Sequence, residues 1–264
     1  MRPVLPFERL RALARYSGDD RGLVEEVAEC LARFDADPVQ LVLVCRRLLA
    51  HHPTNGPLWW LCAHVVGAGD PAAAVRAATR TVARDRTVDR LVAVLPFPHD
   101  EPIAVLGWPE ATGAALGARP DLDVVVVRPE RPDVGLRSRL AAADRAVRMV
   151  SATEAMASGA THLLVEVLAT SPTTALVPAG VADLRAELPD VEWWLVAPVD
   201  RILPERLLTT MQGAATDPVE GAGTGVEPLA LAEVARIAGP GGLDSPERFP
   251  RRLDCPAAPE LQRL

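Results

Sequence analysis

The 264-residue chain contains no lysine, so all 28 basic residues are arginine, and against 35 acidic residues they leave a formal net charge of −7. An acidic body repels a phosphate backbone, which argues against nucleic acid as the primary partner. Lysine's absence, with heavy use of Ala, Val, Leu, Pro and Gly, reads as the codon bias of a GC-rich genome rather than as a binding signature. Cysteine is scarce as well: Cys30, Cys45, Cys62 and Cys255 form no CxxC pair. That excludes a secreted disulfide framework and a cysteine-based zinc site, and predicts reduced thiols, three of them in the core. Long apolar runs are missing too. Stretches such as 91–95 and 124–127 fall far short of the ~20 residues a membrane helix requires, and the first ten residues hold charge and proline without an apolar signal core. A cytoplasmic protein that does not use a membrane is expected. What is present is 49% apolar and 24% charged residues, which excludes a disordered chain and predicts a globular one.

From Phe7 to about Arg90 the pattern is helical. Val24, Val27 and Leu31, then Leu41, Val44 and Leu48, recur at three- and four-residue steps and place an apolar stripe on each of about five helices. Breaks fall at 17–20, 35–38, 53–57 and 69–71, where Asp before Pro supplies a helix cap with proline in the first turn. From Leu91 the pattern changes to short β-branched runs alternating with alanine-rich helical runs. Candidate strands are 91–95, Ile103–Leu106, Val124–Val127, Arg148–Val150, His162–Glu166 and 193–196; candidate helices lie near 110–116, 136–143, 153–157 and 179–187. Such alternation implies parallel strands joined by crossover helices. The fold class is therefore α/β, with an N-terminal helical domain (1–90) followed by a Rossmann-like, doubly wound, mostly parallel sheet domain (91–238). After Met211 the chain reads as loop, with a short apolar helix over 228–238. Prolines at 240, 246, 250, 256 and 259 make 239–264 a Pro-rich C-terminal tail without regular structure.

In a doubly wound sheet, ligands bind beyond the carboxyl ends of the strands, so residues just after each run are the functional candidates. His51, His52 and His64 have no carboxylate or thiol spaced to complete a metal site. The turn His52-Pro53-Thr54-Asn55 reads as a proline-bounded helix entry capped by the threonine or the asparagine and followed by buried tryptophan. Gly107-Trp108-Pro109-Glu110 follows a strand and opens a helix whose N-terminus either receives an anion or, as Glu110 in its first turn favours, is capped in the ordinary way. The chain has no GxSxG, GxxxxGK or strand-borne GxGxxG, and the glycines of 221–225 lack a preceding apolar strand. Trp193 and Trp194 are adjacent on a strand and point to opposite faces of a covered sheet.

The turn with Pro53, Thr54 and the nearby Trp59-Trp60 resembles the Arg-Pro-Thr helix entry of the regulatory α, β and δ subunits of eukaryotic translation initiation factor two-B. That family includes methylthioribose-1-phosphate isomerase and ribose-1,5-bisphosphate isomerase, and here His52 stands for the arginine. The run 124–135 is similar to the family strand that ends in Arg-Pro with a glycine further on, through Arg131, Pro132 and Gly135; Val196-Ala197-Pro198 and Pro204 resemble its last strand and the following loop. The resemblance spans about 39–207 and identifies a divergent bacterial-type member.

The resemblance also removes the family's chemistry. Where the isomerases carry a cysteine after the first long strand, this chain has Gly107; where they carry the aspartate of Gly-Ala-Asp, it has valine, with Glu166 one residue away. A one-residue offset reverses a side chain on a strand. The phosphate motif Asn-Lys-x-Gly-Thr becomes 177–181, which retains only Gly180. Arg131 reads either as a pair for Asp133 or Glu130 or as an anion ligand. The implied function is a non-catalytic, initiation factor two-B-like binding or regulatory protein with no cofactor and no metal. It would hold a small phosphorylated metabolite or nucleotide near His52, Thr54, Gly107, Arg131, Gly180 and Asp200, and form a homodimer through the α/β domain. The alternative is a sugar-phosphate isomerase with rearranged residues, Glu166 as base and Asp200 or His52 assisting. A structural role toward a protein partner, with the proline tail as contact, is a third expectation.

Overall fold

A computed structural model describes residues 9, 12–13, 15–16, 20–33, 37–95, 102–130, 135–143, 147–216, 225–249 and 254–263. Its front part is helical: α1 (Asp20–Ala32), α2 (Pro38–His51), α3 (Gly56–Val66) and α4 (Pro71–Ala83). Three of the four begin as their sequences dictate. Asp37, Asn55 and Asp70 accept hydrogen bonds from the backbone N–H groups of Val39, Leu58 and Ala73, with proline in each first turn. Asn55, not Thr54, caps α3. Leu23, Val27 and Leu31 of α1 and Leu41, Cys45 and Leu48 of α2 form the predicted stripes, whereas α3 is buried on almost every side and is the hub of the helical core.

The run 91–95, expected as a strand, belongs to α5 (Thr87–Val94). Val88, Leu91, Val92 and Leu95 fall on one helix face at three- and four-residue steps, and Asp85 holds the helix start through the N–H and hydroxyl of Thr87.

The α/β part alternates as predicted through β1 (Ile103–Leu106), α6 (Glu110–Gly117), β2 (Val124–Val127), α7 (Leu136–Ala142), β3 (Arg148–Val150), α8 (Ala152–Ala157) and β4 (His162–Glu166). It continues with β5 (Ala169–Thr170), β6 (Thr174–Pro178), α9 (Val181–Glu187), β7 (Glu192–Val196), α10 (Glu205–Thr216), β8 (Val226–Ala230), β9 (Arg236–Gly239) and β10 (Gly242–Asp244). The main sheet has seven strands in the order β10-β9-β7-β4-β1-β2-β3, parallel except for β10. Both faces are covered: Ala104, Val125, Leu163 and Trp193 enter one core layer, Ile103, Val124, Leu164 and Trp194 the other. The two tryptophans thus take opposite faces.

Three further expectations are corrected. The helix expected over 228–238 is β8, a short 3-10 turn and β9, in which Val234 and Ile237 enter one core layer and Ala238 the other. The loop expected after Met211 is still helix as far as Thr216, in α10, which buries Leu207, Leu208 and Met211, and the expected glycine-rich stretch up to 224 lies outside the described residues. The tail 239–264 is not without structure: β10 adds an antiparallel edge to the main sheet, and a 3-10 turn at Pro259–Leu261 inserts Leu261 into the helical core. Proline excludes long helices and central strands there but permits an edge strand and tight turns. A small antiparallel sheet, β5-β6-β8, was not foreseen. Among the described residues no helix is long and apolar enough to cross a membrane.

Candidate functional site

In the main sheet β1, β2 and β3 run outward in one direction, and β4 returns to the other side of β1. This reversal makes the gap between β1 and β4 the topological switch point, where the segments leaving two neighbouring strands diverge and open a crevice. The helical part roofs that crevice. Between them lies a cavity of about 440 Å³ whose wall draws on α1, α3, α4, α6, the end of β4 and the turn after β7.

Glu166 ends β4 at the switch point. Its Oε2 accepts hydrogen bonds from the backbone N–H of Thr112 at 2.9 Å and from the Thr112 hydroxyl at 3.0 Å. Thr112 stands in the first turn of α6, so the negative charge at this helix N-terminus is the chain's own Glu166 carboxylate. Oε1 faces Nη2 of Arg201 at 3.1 Å as an ion pair, yet no hydrogen bond is aligned on it. The guanidinium of Arg201 also donates to the carbonyl of Val167 at 3.0 Å. Burial opposes charge on Arg201, but Glu166 and then Asp200 outweigh it and hold its pKa above the ordinary value. A carboxylate fixed by three groups and sealed from solvent has little freedom to move a proton.

Asp200 lies beyond β7 in the same wall. Burial is the main cause that raises its pKa to about 6; Arg201 opposes the rise, while Asp85, Glu166 and Glu110 add to it. Asp85 is fully engaged, accepting from Thr87 and from the backbone N–H of Val199 at 2.9 Å. At the rim Arg21 of α1 bridges to Glu110 of α6 at 2.6 Å and to Glu25 at 2.8 Å. The hydrogen bond to Glu25, then that to Glu110, raises its pKa. The wall therefore carries the carboxylates Asp20, Glu25, Asp85, Glu110, Glu166 and Asp200 against the guanidiniums of Arg21 and Arg201.

Of the residues singled out from sequence, Glu166 and Asp200 meet at this cavity. His52 sits elsewhere, its Nε2 2.8 Å from the carbonyl oxygen of Leu13, and Thr54 stays in the turn before α3. The turn still matters, because Gly56 packs against the carbonyl of Leu168 just past β4, and Pro57, Trp60 and Leu61 reach the cavity wall. Gly107 takes a left-handed conformation, φ +65°, beside Pro129 and redirects the chain from β1 into α6. Gly180 does so at φ +89° before α9, where its N–H and that of Ala182 donate to the carboxylate of Glu227. Arg131 lies outside the described residues. Thr112, Arg201 and Arg21 were not foreseen. The position of Thr112 in the first turn after a strand, and of Arg201 beside Asp200, were the available signals.

No protein-family model matches the sequence, and no curated protein matches it. The architecture itself, a helical domain roofing the switch point of a Rossmann-like sheet, defines a class to which solved structures do correspond. The translation initiation factor eIF-2B of Pyrococcus horikoshii OT3 superposes with a TM-score of 0.70 at 12% identity, over 94% of this chain and 99% of that one. eIF2B beta from Chaetomium thermophilum gives a TM-score of 0.62 at 10% identity, over 92% and 89% of the two chains. The delta subunit of eIF-2B from A. fulgidus gives 0.56 at 12% identity, over 98% and 91%. The chain has the eIF2B fold, and at these identities the fold is what it shares with them.

Proposed function

We propose that this chain is a catalytically silent relative of the initiation factor two-B subunits and sugar-phosphate isomerases, working as a binding and regulatory module whose cavity accepts a small ligand. Supporting this reading above all is the state of Glu166. It is the strand-end carboxylate nearest the family's catalytic position, and it is spent on Thr112 and Arg201. An isomerisation needs one group to take a proton from carbon and another to return it to oxygen, both free to change state. In this reading the module acts as a homodimer through the α/β domain. The test is incubation of the full chain with ribose 1,5-bisphosphate and with methylthioribose 1-phosphate, followed by product analysis. No turnover is expected, and turnover above the uncatalysed rate would remove the reading.

A second reading retains an isomerase, because Glu166 and Asp200 share one cavity wall and Asp200 titrates near neutrality, at about 6. It requires that Glu166→Gln abolish turnover. Full activity in that variant would end it.

A further inference from the structure

Asp200 stands in the cavity wall with no hydrogen-bond donor from the described residues on its carboxylate. Its neighbour Arg201 turns its guanidinium to Glu166 and to the carbonyl of Val167 instead. The Glu166 carboxylate in the same wall is already held by Thr112 and Arg201 and closed to solvent, which leaves Asp200 as the acceptor facing the cavity. A carboxylate drawn out of bulk water without a donor is unfavourable unless something supplies one, and a cavity is the place where a ligand does.

The charge of the wall selects the kind of ligand. Its carboxylates outnumber its guanidiniums, and both arginines already hold carboxylates, so a phosphate would enter against a negative field with no free cation to receive it. A bare metal ion is disfavoured for a different reason: among the described residues no group of three or more ligating side chains converges. The remaining wall is apolar, including Val24, Trp60, Leu61, Val82 and Val88.

We propose, resting on the binding-module reading above, that the cavity takes a small organic cation, an amine or guanidine on an apolar body, with its N–H groups donating to Asp200. Charge-assisted donation to a partly desolvated carboxylate supplies the polar anchor, and burial of the body against the apolar wall supplies the rest. Binding then requires Asp200 ionised. The charged groups that bear on it are Arg201, Asp85, Glu166 and Glu110, of which Arg201 favours its ionised form and the three carboxylates oppose it.

The test is titration calorimetry of the full chain at pH 7.5 with tyramine and agmatine as probes, and with ribose 5-phosphate and inorganic phosphate under the same conditions. Saturable binding of at least one amine is expected, weakened tenfold or more in Asp200→Asn and weakened again in the wild type at pH 5. Should Asp200→Asn fail to fold, the wild-type pH profile carries the same information. Amine binding that ignores both the substitution and the pH would overturn the proposal. Saturable binding of ribose 5-phosphate with none of either amine would overturn the ligand class and leave the binding-module reading standing. Absence of binding by every probe at millimolar concentration would remove both.

Discussion

Thr112 and Glu166, 54 residues apart in the chain, are joined twice: the backbone N–H and the hydroxyl of Thr112 both donate to one carboxylate oxygen of Glu166. This contact fastens the start of α6 to the end of β4 across the switch point, and Arg201 closes it from the third side. The Glu166 side chain is 2% exposed and that of Arg201 13%, so the pair is shielded from solvent screening. Removing one partner leaves the other charge buried and uncompensated. Glu166→Ala is therefore expected to destabilise the chain by about 3–5 kcal/mol. Thr112→Val, which keeps the backbone donor and loses the hydroxyl, is expected to lose about 1–2 kcal/mol. Urea unfolding checks both. Equal loss in the two variants would mean that the hydroxyl, not the charge pair, dominates.

Asp200 works against stability near neutral pH. Its folded pKa of about 6 exceeds the ordinary 3.8, chiefly through burial. Between those values the native state holds a proton that the unfolded chain has released, so stability falls as pH rises through this window and stays low above it. The difference corresponds to a penalty on the order of 2–3 kcal/mol at pH 7.5. Asp200→Asn removes the charge with little change of shape. It is expected to raise the urea midpoint at pH 7.5 and to give no advantage at pH 4. A variant less stable than the wild type at pH 7.5 would show that Asp200 contributes more through Arg201 than it loses by burial.

The parts of the fold that could be read from sequence are those where one pattern admits one structure. β1, β2, β3, β4 and β7 are short β-branched or aromatic runs between helical segments, and each lies where it was expected. The run 91–95 failed because five consecutive apolar residues fit a buried strand or a buried helix, and the helical steps appear only when Val88 upstream is read with Leu91, Val92 and Leu95. The segments 226–230 and 236–239 were missed for a related reason: Pro228 and the glycines around them hide strand pairing that exists only once β6 and β7 are in place. At the site, Glu166 and Asp200 were legible because the carboxyl end of a strand is where a doubly wound fold puts its chemistry. Their partners were not. Thr112 and Arg201 reach Glu166 through tertiary packing, which no local spacing encodes. The glycine of the 177–181 motif kept its backbone role, while the anion at that turn is supplied by Glu227 from β8.

Gly56 fixes how closely α3 approaches the sheet. A Cβ built there would lie 1.9 Å from the carbonyl oxygen of Leu168, a backbone atom that cannot swing aside. Gly56→Ala must therefore push α3 away from the end of β4 and disturb the cavity wall formed by Pro57, Trp60 and Leu61. A loss of about 1–3 kcal/mol in urea unfolding is expected. The same substitution at Gly67, which has open space around it, serves as the control and is expected to change stability by less than about 1 kcal/mol.

Leu261 tests whether the C-terminal segment belongs to the folded core. It lies in the 3-10 turn Pro259–Leu261, is fully buried, and joins the same cluster as Cys45, Leu48, Leu49 and Trp59. The turn is pinned from outside by Arg46 of α2, whose Nε donates to the carbonyl of Glu260 at 2.7 Å. Deleting a buried leucine side chain loses its transfer free energy and leaves a cavity, so Leu261→Ala is expected to destabilise by about 2–5 kcal/mol. Arg46→Ala removes one exposed hydrogen bond and is expected to lose about 0.5–1.5 kcal/mol. Leu261→Met, which preserves most of the volume, should recover most of the loss. A Leu261→Ala variant with wild-type stability would detach the segment from the core and return it to the role of a surface tail, free to serve as a contact for another protein.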